Sequence, residues 1–142
     1  MQKNICIFGM GYVGLPLAVE FSKFNNVLGY DIDNSRIENL KKRIDINNSV
    51  DTKILKRTKI KFSNKESDIK DYDIFIVTVP TPIDSNRKPN ITPLKVATKI
   101  ISKYLKKNGL IIYESTVYPG LTEEILVPII QKNTKFKLNK DF

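Results

Sequence analysis

Three glycines stand at residues 9, 11 and 14, directly after the apolar run of residues 5–8. Glycine weakens the interior of strands and helices, so three this close together indicate backbone that must approach another group closely. Between a strand and a helix, G-x-G-x-x-G spacing is typical of a turn that binds a pyrophosphate. In that geometry Gly9 permits the tight turn, Gly11 lets the pyrophosphate reach the backbone, and Gly14 lets the helix pack on the strand.

An acidic residue stands where the other half of such a site would need one. Asp31 lies 20 residues beyond Gly11, at the end of the apolar segment 27–31. A carboxylate there can accept hydrogen bonds from both ribose hydroxyls of adenosine and repels a 2′-phosphate, which favours NAD over NADP. Arg36 keeps NADP open, because a nearby arginine can hold a 2′-phosphate. For Asp33 we expect a role in the local turn instead.

The elements that must position these residues alternate along the chain. Apolar or alternating runs predict five strands, at residues 5–8, 27–31, 59–62, 72–80 and 110–114. Helical spacing predicts helices after the glycines, over 34–44, after Thr92-Pro93 and over about 122–132. This order predicts an α/β fold, a Rossmann-type, doubly wound, mainly parallel sheet, in one domain over residues 1–142.

Local signals predict where two of the helices begin. Ser35 and Glu38 have the spacing of a capping box. Thr92 is the expected N-cap of the next helix, with Pro93 in its first turn. Residues 45–58 predict a loop, with a helical turn around 54–56 at most.

Composition limits the function classes. The 142 residues include one cysteine and no histidine, and they carry a formal charge of +9. A histidine-dependent nucleophile, base or metal site is therefore excluded within this chain, and we expect no metal and no internal disulfide. No stretch approaches the roughly 20 apolar residues of a membrane span, so a cytoplasmic protein is expected. The basic residues are dispersed and lack any nucleic-acid motif, so we expect neither nucleic acid nor a membrane as partner.

Four stretches resemble the NAD-binding domain of the UDP-glucose/GDP-mannose dehydrogenase family, in its order and at its spacing: "GMGYVGLPLA", "GYDID", "VTVPTPID" and "YESTVYPG". The resemblance covers essentially the whole chain. The last two stretches are most similar to the branch that oxidises UDP-N-acetylhexosamines, such as UDP-N-acetylglucosamine, to uronates for capsule or O-antigen polysaccharide. NAD is therefore the cofactor that the resemblance implies.

The resemblance also implies which residues contact NAD. The pyrophosphate cradle would consist of the glycine-rich turn, in which Tyr12 and Val13 donate backbone N–H groups: Gly9, Met10, Gly11, Tyr12, Val13 and Gly14. Asp31 would hold the adenosine ribose, and Arg36 would lie against the adenine side. Two further segments would line the cofactor, the second of them at its nicotinamide half: Thr78, Val79, Pro80 and Thr81, and then Ser115, Thr116 and Val117. Thr116 would lie nearest the reaction centre.

The family's chemistry needs groups that these residues do not supply. The family oxidises a primary alcohol twice with two NAD, through a thioester on a catalytic cysteine, and uses a lysine and acidic residues of a central helix and a second domain. Cys6 stands inside the first predicted strand, where a buried thiol is expected. We therefore expect residues 1–142 to be the amino-terminal cofactor domain of a longer, homodimeric enzyme, inactive alone.

Two alternatives from other classes remain open. A methyltransferase could use the same strand, turn and helix to hold S-adenosylmethionine, although "STVYPG" would then have no evident role. A non-catalytic module that binds NAD or a polyanion is the other alternative. The sequence leaves open which nucleotide sugar the whole enzyme would use.

Overall fold

The computed structural model describes residues 2–83 and 88–142. Within them, one five-stranded sheet has the order β3-β2-β1-β4-β5, and each neighbouring pair of strands is parallel. The strands are β1 (Asn4–Phe8), β2 (Asn26–Tyr30), β3 (Lys61–Ser63), β4 (Ile74–Val77) and β5 (Leu110–Tyr113). The predicted Rossmann-type parallel sheet is confirmed.

Helices join the strands in the described part of the chain. They are α1 (Gly14–Phe21), α2 (Asn34–Lys41), α3 (Thr52–Arg57), α4 (Thr92–Tyr104) and α5 (Val127–Thr134). A 3₁₀ turn at Glu66–Ile69 precedes β4, and a π-helical turn at Thr122–Leu126 leads into α5. The described residues contain no helix with both the length and the apolar character needed to span a bilayer.

Both faces of the sheet are buried at its central strands, and β1 shows how its sequence arranges this. Alternate side chains of a strand point to opposite faces. Ile5 and Ile7 pack in a core with residues of α1, α2 and α3, whereas Cys6 and Phe8 pack in a second core with residues of α4 and α5. Covering on both faces explains why the strand is continuously apolar rather than alternating.

Two predicted helix starts differ from the structure. Asp33, not Ser35, caps α2, because its carboxylate accepts hydrogen bonds from the backbone N–H groups of Ser35 (2.8 Å) and Arg36 (3.1 Å). The capping box is therefore wrong, and the expectation that Asp33 serves the local turn is confirmed. In α4 the cap is Ile91, Thr92 is already helical, and Pro93 lies in the first turn as expected.

Candidate functional site

The carboxyl ends of β1, β2 and β4 border a cleft of about 780 Å³. The strand order reverses between β1 and β4, because the chain leaves β1 for β2 on one side and returns to β4 on the other. Ligands of doubly wound sheets bind at such a switch point. The glycine-rich turn lines this cleft together with residues 30–33, residues 78–80 and the start of α4.

Two of the glycines serve the shape of the turn itself. Gly9 has a φ of +93°, a conformation that side-chain-bearing residues rarely adopt, and its N–H donates to the carbonyl of Tyr30 at 2.8 Å. At Gly14, an added Cβ would overlap the carbonyl oxygen of Gly9 and lie 2.5 Å from the hydroxyl oxygen of Thr78. The expected roles of Gly9 in the turn and Gly14 in close packing are therefore confirmed.

Gly11 is a different case, because the protein's own packing does not require it. An added Cβ there would have no heavy atom within 4 Å. The next residue, Tyr12, is 73% exposed, and α1 begins two residues after it. At Val13, the N-cap of α1, no side chain among the described residues makes a capping hydrogen bond. The first backbone N–H groups of a helix lack partners within the helix. The turn therefore presents open backbone and a helix N-terminus to the cleft, an arrangement that suits a phosphate.

Thr78 anchors the turn from the β4 side. Its backbone N–H donates to the carbonyl of Phe8 at 2.8 Å. Its hydroxyl lies 2.9 Å from the carbonyl oxygen of Phe8 and 2.9 Å from that of Gly9. The end of β4 thus holds the peptide groups where β1 passes into the turn.

Asp31 anchors the turn from the β2 side. One carboxylate oxygen accepts the N–H of Met10 at 2.7 Å, and the other accepts the N–H of Asp33 at 2.9 Å. An ionised carboxylate offers about four acceptor sites, so these two bonds leave capacity for ribose hydroxyls. The carboxylate is half-buried in the cleft wall.

Arg36 also reaches the cleft wall, but its guanidinium lies inside the protein. The side chain is only 6% exposed; its Nε donates to the carbonyl of Met10 at 2.7 Å, and one terminal nitrogen pairs with Asp45 at 2.7 Å. Burial by itself raises the pKa of Asp45, but hydrogen bonds from Arg36, the Ser49 side chain and the backbone N–H groups of Val50 and Asn47 outweigh it and lower the pKa to about 2. The positive charge of Arg36 is therefore compensated within the protein.

The candidate residues after β4 and β5 differ in whether they line the cleft. Val79 and Pro80 line the cleft; Thr81, Thr116 and Val117 do not, and Val117 packs against the core. Ser115 is not a lining residue either, but its hydroxyl donates to the carbonyl of Val79 at 2.7 Å. For these residues contact with a cofactor stays a prediction.

Sequence reasoning missed several cleft residues. They are Ile32 and Ile46, whose apolar side chains are exposed, with Asn47 and four residues at and before the first turns of α4: Asn90, Thr92, Pro93 and Val96. Two isoleucines in irregular segments were a usable signal, since apolar residues there have no strand or helix face to join. The sequence gives no comparable signal for Asp45, because its pairing with Arg36 depends on how the loop after α2 folds back.

Comparison with known proteins identifies the domain. The model of the UDP-glucose/GDP-mannose dehydrogenase family, NAD binding domain, matches residues 3–142. A UDP-N-acetyl-D-glucosamine 6-dehydrogenase of Pseudomonas aeruginosa is 48% identical over 98% of this chain and 33% of its own length. Protein CapL of Staphylococcus aureus is 44% identical over 100% of this chain and 34% of its own.

A solved structure agrees with these sequence matches. The UDP-D-ManNAc dehydrogenase of Pyrococcus horikoshii superposes with a TM-score of 0.87 at 28% identity, over 98% of this chain and 34% of that one. This chain therefore spans about a third of the length of the relatives that it matches. The glycine-rich turn, the acid that directly follows β2 and the match along almost every residue together show that the chain belongs to the UDP-glucose/GDP-mannose dehydrogenase family, as its NAD-binding domain.

Proposed function

We propose that this chain holds NAD for an enzyme that oxidises the primary alcohol of a UDP-N-acetylhexosamine to a uronate, with UDP-N-acetylglucosamine as the first candidate substrate. Relatives named UDP-N-acetyl-D-glucosamine 6-dehydrogenase, 42% and 48% identical over nearly the whole chain, support the choice of sugar. The observation that carries the proposal is the open backbone at Gly11 beside the carboxylate of Asp31 in one cleft.

The residues of the cleft fit NAD. A volume of about 780 Å³ is in the range of sites for molecules of this size, and most of its walls are apolar side chains or glycine backbone. In our proposal the N–H groups of Tyr12 and Val13 bind the pyrophosphate over the space at Gly11. Asp31 accepts from the ribose hydroxyls, and Ile32 with Ile46 flanks the adenine.

The nicotinamide half is assigned to the carboxyl ends of β4 and β5. Val79 and Pro80 would line its path, and Ser115 would fix the Val79 carbonyl. Thr81, Thr116 and Val117 follow these strands and are proposed to face the nicotinamide when the rest of the enzyme is in place. NAD, when bound, supplies the hydride acceptor for the sugar's alcohol.

We further propose that the covalent chemistry depends on residues outside these 142. Cys6 is fully buried in β1, and burial raises the pKa of its thiol well above the ordinary value, so it cannot serve as the nucleophile. We propose an enzyme of the cytoplasm, a compartment in which an unpaired thiol such as Cys6 stays reduced. That the enzyme is a homodimer is proposed from its family resemblance. On this proposal the chain binds NAD but does not turn over a UDP-sugar by itself.

Calorimetric titration of the chain with NAD and with S-adenosylmethionine tests the proposal. NAD should bind in preference, and Asp31→Ala should weaken it at least several-fold, because hydrogen bonds to a charged group are lost. Asp71→Ala is a matched control: it removes the same charge near the amino end of β4, the end opposite the cleft. Preferential binding of S-adenosylmethionine would refute the cofactor assignment, and undiminished NAD binding by Asp31→Ala would remove this residue from the site.

A further inference from the structure

We propose that Asp45, which lies outside the ribose site, is a positioning residue for cofactor choice: it holds Arg36 buried and neutralised, so that the carboxylates of Asp31 and Asp33 set the charge where a 2′-phosphate would sit. NADP is rejected for that reason. The inference rests on the proposed NAD site and assigns part of its selectivity to a side chain that no ligand needs to touch.

Asp31, Asp33 and Arg36 are the charged residues of the cleft wall, and two of them, Asp31 and Arg36, are fixed to the same residue of the turn. Asp31 accepts the backbone N–H of Met10 at 2.7 Å, and the Nε of Arg36 donates to the carbonyl of Met10 at 2.7 Å. Both residues line the cleft, although the guanidinium of Arg36 is itself buried. Any group at the ribose position therefore experiences the sum of their charges.

That sum depends on Asp45. Asp31 and Arg36 by themselves would cancel, and only the carboxylate of Asp33, which caps α2, would remain to oppose a phosphate. The carboxylate of Asp45, 2.7 Å from Arg36 and only 1% exposed, neutralises Arg36 and leaves the negative charges of Asp31 and Asp33 uncompensated. A phosphate monoester carries about −1.5 to −2, so it is repelled by this net charge in a partly buried site.

Asp45 is itself held in place, which makes the neutralisation permanent. Its carboxylate accepts backbone N–H groups of Asn47 (3.1 Å), Ser49 (2.7 Å) and Val50 (3.0 Å), and the hydroxyl of Ser49 (2.8 Å). The same bonds order the loop that brings Asn47 to the cleft.

Arg36 retains unused binding capacity. Its second terminal nitrogen is buried and has no hydrogen-bond partner among residues 2–83 and 88–142. Without Asp45, a guanidinium with both terminal nitrogens unpaired would stand at the cleft wall. Arginine is the residue that holds the 2′-phosphate in NADP-binding domains of this fold.

The test compares the ratio of dissociation constants, NADP over NAD, in four chains: wild type, Asp45→Asn, Arg36→Met and the double variant. Calorimetry at low salt gives both constants. Asp45→Asn should lower the ratio about tenfold, because it removes a negative charge and frees Arg36 to hold the phosphate, and Arg36→Met should raise it about threefold. The double variant should return the ratio to near the wild-type value, because its charges sum to the wild-type total and no arginine remains to hold the phosphate. Asp71→Asn is the control with the same charge change outside the cleft, and it should leave the ratio unchanged.

A merely structural role for Asp45 would give a different pattern. Asp45→Asn would then weaken the binding of both cofactors equally, so the ratio would stay constant. Alternatively, Asp45→Asn would change the ratio by the same factor in the wild type and in the Arg36→Met chain. Either result overturns the inference. If Asp45→Asn does not fold, the Arg36→Met chain provides the test by itself. An unchanged or lowered ratio in Arg36→Met then refutes the inference. Loss of NAD binding by the wild type would instead refute the proposed function, and this inference with it.

Discussion

The hydroxyl of Thr78 lies 2.9 Å from the carbonyl oxygen of Gly9, the residue whose positive φ turns the chain out of β1. The bond joins β4 to the turn across the point where the strand order reverses. Asp31 holds the same peptide group from the β2 side, because its carboxylate accepts the N–H of Met10. The cleft backbone is thus supported from both neighbouring strands before any ligand binds, which reduces the ordering that binding must still achieve.

Replacing Thr78 by valine should measure how much its hydroxyl stabilises the turn. The side chains have nearly the same shape, but valine leaves two carbonyl oxygens without the hydroxyl, and a lost hydrogen bond of this kind costs about 1 kcal/mol. Urea denaturation should show this loss in the free energy of unfolding, and NAD binding should weaken as well. Thr78→Ser retains the hydroxyl and should stay close to wild type; equal stability of the valine and wild-type chains would contradict the role.

Gly14→Ala should reduce the stability of the fold, whereas Gly11→Ala should reduce NAD binding. At Gly14 the new methyl overlaps the Gly9 carbonyl oxygen, so the turn must shift, and we expect a loss of about 1–3 kcal/mol of stability. At Gly11 the methyl enters open space, so folding should be preserved while NAD binding is lost. Thermal unfolding and calorimetry on both variants separate these outcomes. A Gly11→Ala chain that binds NAD normally would move the pyrophosphate elsewhere.

The acid limb of stability should depend on Asp45. The pKa of Asp45 in the folded chain is about 2, below its ordinary value of 3.8, so folding favours the ionised form. Its stabilisation is complete above about pH 4 and is lost as the pH falls from about 4 to 2; the shift corresponds to about 2 kcal/mol. Urea titrations across this interval should show a shallower loss in Asp45→Asn than in the wild type. Parallel pH curves would contradict the prediction.

The alkaline limb should depend on two tyrosines. Burial raises the pKa of Tyr113 to about 12, against an opposing hydrogen bond with Thr98, and burial followed by the charge of Glu66 raises that of Tyr30 to about 12. Folding therefore favours the protonated phenols, and their contribution is full below pH 10 and lost between about pH 10 and 12. The ultraviolet absorbance of tyrosinate should show late-titrating phenols that Tyr113→Phe reduces. Ionisation of all tyrosines near pH 10 in the folded chain would oppose this.

Much of the fold was accessible from local pattern. Buried parallel strands are continuous apolar runs, and the helices that cover them repeat their apolar residues every three or four positions. The order of strands and helices can therefore be predicted from the sequence. The predictions at helix starts were weaker. Asp33 and Ser35 both have capping side chains, and only the folded backbone shows which one reaches the free N–H groups.

By itself the sequence determined the domain's class, the glycine-rich turn and the acid that directly follows β2, because these depend on residue type at short spacing. Tertiary structure alone decided that Arg36 pairs with Asp45 and that Thr78 supports Gly9, contacts that join separate elements. The physical reason is that hydrogen bonds and ion pairs act over about 3 Å. Their partners are therefore set by where the folded chain places each atom, and not by the distance between residues along the sequence.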